Sequence, residues 1–127
     1  MKLIILITSK IQGGMEVALA WQEAGAPGVT IIPSHGLHSL TEQVKRTSIE
    51  LPTNVVSSMS ATLAYITGQV EHTNYTILSV VPNDMVDKLI EAAKEELGDL
   101  MSPRTGVCFI VDIAQAIGVR DPRGDQE

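Results

Sequence analysis

Four short apolar runs rich in β-branched residues constrain this chain more than any other feature. They are LIILI (residues 3–7), VTII (29–32), TILSVV (76–81) and VCFIV (107–111). Each has strand length and is bounded by Gly, Pro, Asn or Ser, residues that interrupt extended pairing. Between the first two lies GGMEVALAWQEAGAPG, in which Glu16 and Glu23 mark a wet face and Met15, Ala18, Leu19 and Trp21 supply apolar surface. Gly25 and Pro27 then close that helix. Between the last two lies PNDMVDKLIEAAKEELGD, where Val86, Leu89, Ile90, Ala93 and Leu97 recur at helical spacing, with Asn83 as N-cap and Gly98 as the stop. The order β-α-β, long insert, β-α-β predicts an α+β fold: a ferredoxin-like βαββαβ sandwich, an antiparallel sheet with two helices on one face.

The strands carry a second message. An antiparallel sheet with one wet face alternates apolar and polar residues, and the first and fourth runs do not. Two helices cover one face only, so the other is expected to be covered by further copies of the chain. The insert at residues 37–73 is far longer than a connection in a compact domain usually is, and such segments are generally functional or disordered. Its first part, LTEQVKRTSIELP, is polar with a lone basic pair, Lys45-Arg46. Its second part, SSMSATLAYITG, is read as a short helix with Met59, Leu63 and Ile66 on one side. The tail from residue 118, GVRDPRGDQE, has no apolar stripe and is expected to be an extended arm or a frayed end.

Composition bounds the function. A chain of 127 residues is one domain, 1–127, and 44% hydrophobic with 19% charged residues excludes wholesale disorder. Nine Lys+Arg against fifteen Asp+Glu leave a net charge of −6, which argues against nucleic acid or a membrane surface as partner. The apolar start is too short for a signal peptide core or a membrane span. With one cysteine, Cys108, and so no internal disulfide, the expected compartment is the reducing cytoplasm. The sequence contains no Walker-type loop, G-x-G-x-x-G after a strand, G-x-S-x-G or H-E-x-x-H motif, and an enzyme is not expected. Cys108, inside an apolar strand, reads as a small buried hydrophobe.

Two segments could carry binding chemistry. Ser34-His35-Gly36-Leu37-His38 ends the second strand, and Gly36 lets the backbone approach a ligand or turn sharply. Its histidines suit an anion contact, or a divalent metal if His35 and His38 are joined by His72. A plain strand exit is the simplest alternative. Ser102-Pro103-Arg104-Thr105-Gly106 precedes the fourth strand and offers a guanidinium, a hydroxyl and backbone N–H groups to phosphate oxygens, though Pro-x-x-Gly also marks an ordinary turn. Arg120 and Arg123 lie just beyond the last strand, either reaching the same place or simply solvated.

These residues resemble the P-II nitrogen-regulatory superfamily. The likeness rests on Ala24-Gly25 and Gly28-Val29-Thr30 closing the first βαβ, on Val80-Val81-Pro82-Asn83-Asp84-Met85-Val86-Asp87-Lys88, and on Gly106-Val107-Cys108-Phe109-Ile110-Val111-Asp112 with Ile117 and Val119-Arg120. It covers residues 2–36 and 76–120, with the insert where that family has its T-loop. The resemblance implies a homotrimer with inward-packed sheets, adenine nucleotides (ATP, ADP or AMP) in clefts between subunits, and a loop at 37–73 that grips or releases an unidentified protein target. By position, Thr30 and Gly36 would line the cleft, with His38 nearby. Arg104, Thr105 and Gly106 would form the phosphate-holding B-loop, and Arg120 would reach in from the C-terminal segment. Four positions depart from the pattern: Val107, Asn74, Ser39 and Gly118 stand where the family has cationic residues, which removes charge that a triphosphate needs compensated. The alternatives are a CutA-like trimer binding divalent metal through His35, His38 or His72, and an interaction protein on the same fold with a degenerate cleft.

Overall fold

The computed structural model describes residues 1–37, 74–102 and 105–119. Four strands, β1 (Lys2–Thr8), β2 (Thr30–Ser34), β3 (Asn74–Val81) and β4 (Val107–Asp112), form one antiparallel sheet in the order β2-β3-β1-β4. Two helices, α1 (Ile11–Glu23) and α2 (Val86–Leu97), follow β1 and β3. This is the ferredoxin-like arrangement that the order of apolar runs predicts. The expected helix at the end of the insert lies outside the described residues, as does the tail from residue 120.

One face of the sheet is sealed by the helices. Ile4 and Leu6 of β1 and Ile77 and Val81 of β3 are fully buried against Val17 and Trp21 of α1 and Leu89, Ala93 and Leu97 of α2. Trp21 is the pivot, since its indole Nε1 donates to the Leu89 carbonyl at 2.9 Å and so joins the two helices. Each helix end is also held by a lysine from beyond it. Lys10 Nζ donates to the Leu97 carbonyl at 2.8 Å, and Lys88 Nζ donates to the Ala24 carbonyl at 3.3 Å. A cation at a helix C-terminus meets unpaired carbonyls and the negative end of the dipole.

The helix ends follow local chemistry, with one correction. After α1, Gly25 takes a φ of 101°, and the N–H groups of Ala26 and Gly25 bond the carbonyls of Trp21 and Gln22 at 3.1 Å. This is the left-handed glycine closure that Gly25 was expected to supply. Asn83, in contrast, does not cap α2. It opens a 3-10 turn, Asn83–Met85, that makes no side-chain cap bond, and α2 begins only at Val86. Burial of Met85 draws the chain into that turn, which puts Asn83 on a helical backbone where its side chain cannot reach forward as a cap.

The second strand also differs from its expected bounds. It runs two residues further than the apolar run and includes Pro33, because pairing with β3 continues to Ser34 opposite Asn74. Proline is tolerated there because β2 is an edge strand. Among the described residues, the second face of the sheet carries no helix. Leu3, Ile5 and Ile7 of β1 lie on it beside Leu78 and Val80 of β3 and Val107, Phe109 and Val111 of β4, as the pairing register requires. Phe109 remains 49% exposed and Val107 51% exposed. A chain that leaves such an apolar sheet face uncovered has a surface suited to association.

Truncation at the pivot tests the packing. Trp21→Ala is expected to cost about 3–5 kcal/mol, the range for deleting a buried aromatic side chain, measured by urea unfolding followed by far-UV circular dichroism.

Candidate functional site

The end of the sheet where β1 finishes and β4 begins is organised by one hydroxyl. Thr8 is inward-facing and 1% exposed, in a position where an apolar residue would be the default. Its Oγ1 donates to the Thr105 carbonyl at 2.7 Å and accepts from the Lys10 backbone N–H at 3.1 Å. The loop before β4 is thereby fastened to the start of α1. Thr105 is itself buried. Gly106 passes so close to β1 that a Cβ there would lie 3.0 Å from the Ile7 carbonyl oxygen and 3.4 Å from Thr8 Cβ. A side chain at 106 would crowd the β1 backbone, which would have to yield.

Further across the same end, past the Thr8–Tyr75 and Pro33–Tyr75 pairs, lie Gly36 and Asn74. A Cβ on Gly36 would come within 2.9 Å of the Asn74 side-chain nitrogen, so the Asn74 amide occupies the space that glycine leaves. His35 beside it presents a buried Nδ1 with no hydrogen-bond partner among the described residues. Leaving such an atom unpaired costs about 1–3 kcal/mol.

A cleft of about 410 Å³ lies elsewhere, on the uncovered side of the sheet. Leu3, Leu78 and Val80 make its floor, Pro27, Gly28 and Thr30 border it on one side, and Gly118 and Val119 on another. The turn that forms the first border is held from behind, where the Ser79 hydroxyl donates to the Gly28 carbonyl at 2.6 Å. No charged side chain lines the cleft among the described residues.

Of the expected site residues, the structure brings Gly36, Thr105 and Gly106 to one end of the sheet. Thr30 stands apart from them, since it pairs with Leu78 while Ser34 pairs with Asn74. Within one chain these two groups do not meet around a single ligand. His38, His72, Arg104 and Arg120 lie outside the described residues. No trio of metal-ligating side chains forms among the described residues. Cys108 is half-buried against the core, and burial pushes its thiol pKa up. That keeps the thiol protonated and fits its reading as a packing residue.

A family model described as nitrogen regulatory protein P-II matches residues 1–123. The chain belongs to this family. A search of curated proteins finds no match. The P-II assignment agrees with the sheet order and with the position of the long segment between β2 and β3, and it places the chain among regulatory proteins. No helix among the described residues is long and apolar enough to cross a membrane.

Sequence reasoning missed the residues that hold this P-II framework in shape. Thr8 and Ser79 are hydroxyls inside apolar strands, and each binds a loop carbonyl bordering a candidate site. Their signal was visible as a polar residue at an inward position, but which carbonyl each would meet depends on strand pairing. Thr8→Val is expected to lower stability by about 1–3 kcal/mol, because the buried Thr105 carbonyl loses its donor. Urea unfolding measures the change, and an unchanged midpoint would mean that the loop is held by other contacts.

Proposed function

We propose that this P-II family member is a trimeric, cytoplasmic signalling protein that binds an adenine nucleotide or another small anionic effector at clefts between subunits. Occupancy is relayed through residues 37–73 to a protein target in nitrogen, carbon or energy regulation. The observation that carries this reading is the uncovered sheet face. Proteins of this family are typically trimers, and an apolar face crossing β1, β3 and β4 supports assembly by burial, worth about 25 cal/mol per Å² of apolar surface removed from water. Assembly also answers the separation of the candidate residues. A neighbouring copy can bring its Thr105–Gly106 loop to the Thr30 side of the next chain, which a single chain cannot do for itself.

In this reading Thr30 and Gly36 line the cleft, with His38 near them. Thr105 and Gly106 present backbone to phosphate oxygens, Arg104 supplies the charged fork, and Arg120 approaches from the C-terminal segment. The rigid anchoring of the loop by Thr8 supports such a role, because a phosphate site gains from donors already held in place. Signalling then follows from a population shift: the effector binds one arrangement of residues 37–73 better than the other.

Thermal-shift titrations with ATP, ADP, AMP, cyclic dinucleotides and bicarbonate test the proposal. A ligand at a hundred times its Kd is expected to add about 2.7 kcal/mol of stability. Arg104→Ala is expected to weaken the effector by about 1–3 kcal/mol, the value of a hydrogen bond to a charged group. No shift with any of these ligands would sink the reading.

The unpartnered His35 Nδ1 favours a second reading, a divalent cation held by His35 with His38 and His72. Titration with Zn²⁺ or Cu²⁺ against a His38→Ala control separates the two. A metal-induced rise in melting temperature that the variant abolishes would establish the metal reading.

A further inference from the structure

Helix α1 carries more apolar surface than the core uses. Gly14, Val17 and Trp21 are buried beneath it. Ile11, Met15 and Leu19 are 37, 38 and 48% exposed. Spaced four residues apart, they form one line along the helix flank. This line belongs to the helix layer, so packing copies through the uncovered sheet face leaves it open.

Beside the line runs a groove of about 240 Å³, with Met15, Ala18 and Leu19 on one wall and Val29 and Ile31 on the other. The adjoining strand β2 is five residues long and includes Pro33, which has no N–H to offer. Such a strand is a poor template for an added strand, so an occupant must dock by side chains.

Gln22 is the one polar side chain among the described residues that line the groove, and the charges nearest its apolar wall on α1 are acidic. Helix α1 contains Glu16 and Glu23 and no lysine or arginine. By helical spacing Gln12, Glu16 and Glu23 border the apolar line on its solvent side, and Gln12 Nε2 donates to Glu16 Oε1 at 3.0 Å. The lysines around α1 are turned to other work, Lys10 on the Leu97 carbonyl and Lys88 on the Ala24 carbonyl. An apolar line bordered on its solvent side by carboxylates matches an apolar stripe bordered by cations.

We propose that this groove docks an amphipathic helix of a protein partner, its apolar face seated between Leu19 and Ile31 and its lysine or arginine margin against Glu16 and Glu23. Recognition of this kind is read by side chains at i, i+4 and i+7, with the charged rim setting orientation and on-rate. Pro27 and Gly28 border both this groove and the cleft beside Thr30, but Met15, Leu19 and Ile31 line the groove and not that cleft, so substitutions at those positions test the groove alone.

The test is isothermal titration calorimetry of the full-length protein with an eighteen-residue helical Leu/Lys peptide. Saturable binding of one peptide per chain is expected, weakened at least tenfold by Leu19→Gln or, as an independent variant, Met15→Gln. The Glu16→Gln/Glu23→Gln double variant is expected to lose most of the salt dependence. Circular dichroism confirms that each variant is folded, and the partly exposed positions of Met15 and Leu19 make folding of at least one expected. Equal binding by wild type and variants, or by a Leu/Glu peptide of the same length, would overturn the proposal. So would a fall in the mass of the assembly caused by Leu19→Gln alone, which would make a second copy of the chain the occupant. Binding to anionic phospholipid vesicles in place of the peptide would overturn it as well.

Discussion

The central strand β1 carries the constraint on which the rest of the structure depends. It is hydrogen-bonded along both edges, to β3 and to β4, and it faces a layer on each side. Ile4 and Leu6 point to the helices, while Leu3, Ile5 and Ile7 point to the uncovered face. Because side chains alternate with a period of two, a one-residue slip of β1 would exchange these sets. Both sets are apolar, so hydrophobicity alone defines the register weakly. Thr8 resolves it, since its hydroxyl suits only the position from which it reaches the Thr105 carbonyl and the Lys10 N–H.

That same hydroxyl links architecture to the candidate site. The loop before β4 is positioned by a buried side chain of β1, close backbone approach at Gly106 and the start of α1. The Thr105–Gly106 backbone is thus tied to β1 and to the start of α1. The cleft beside Thr30 is different in character: apolar at its floor and without charge among the described residues that line it. Val107 is half-exposed and adds apolar area to the uncovered face.

Much of the fold was legible in the residues. The four apolar runs located the strands to within two residues, and the spacing of Leu89, Ala93 and Leu97 located α2 and its buried face. The glycines that were read as helix stops, Gly25 and Gly98, both take positive φ. Asn83 was misread because N-cap preference is a local tendency, whereas burial of Met85 is a tertiary demand that draws the chain into a 3-10 turn first. The site was less legible. Residue type singles out Gly36, Thr105 and Gly106, but not the side chains packed around the two candidate sites: Thr8 on the Thr105 carbonyl, Asn74 against Gly36 and Ser79 on the Gly28 carbonyl.

The sequence by itself determined the order of elements, the helical faces and the surplus of apolar strand surface, because each depends on periodicities of two or 3.6 residues within a short stretch. Only the tertiary structure decided which polar groups meet. The hydroxyl of Thr8 and the carbonyl of Thr105 are 97 positions apart and come together only when β1 and the loop before β4 are neighbours. The same holds for the separation of Thr30 from Gly36, since contact across a sheet follows strand register, which no local pattern encodes.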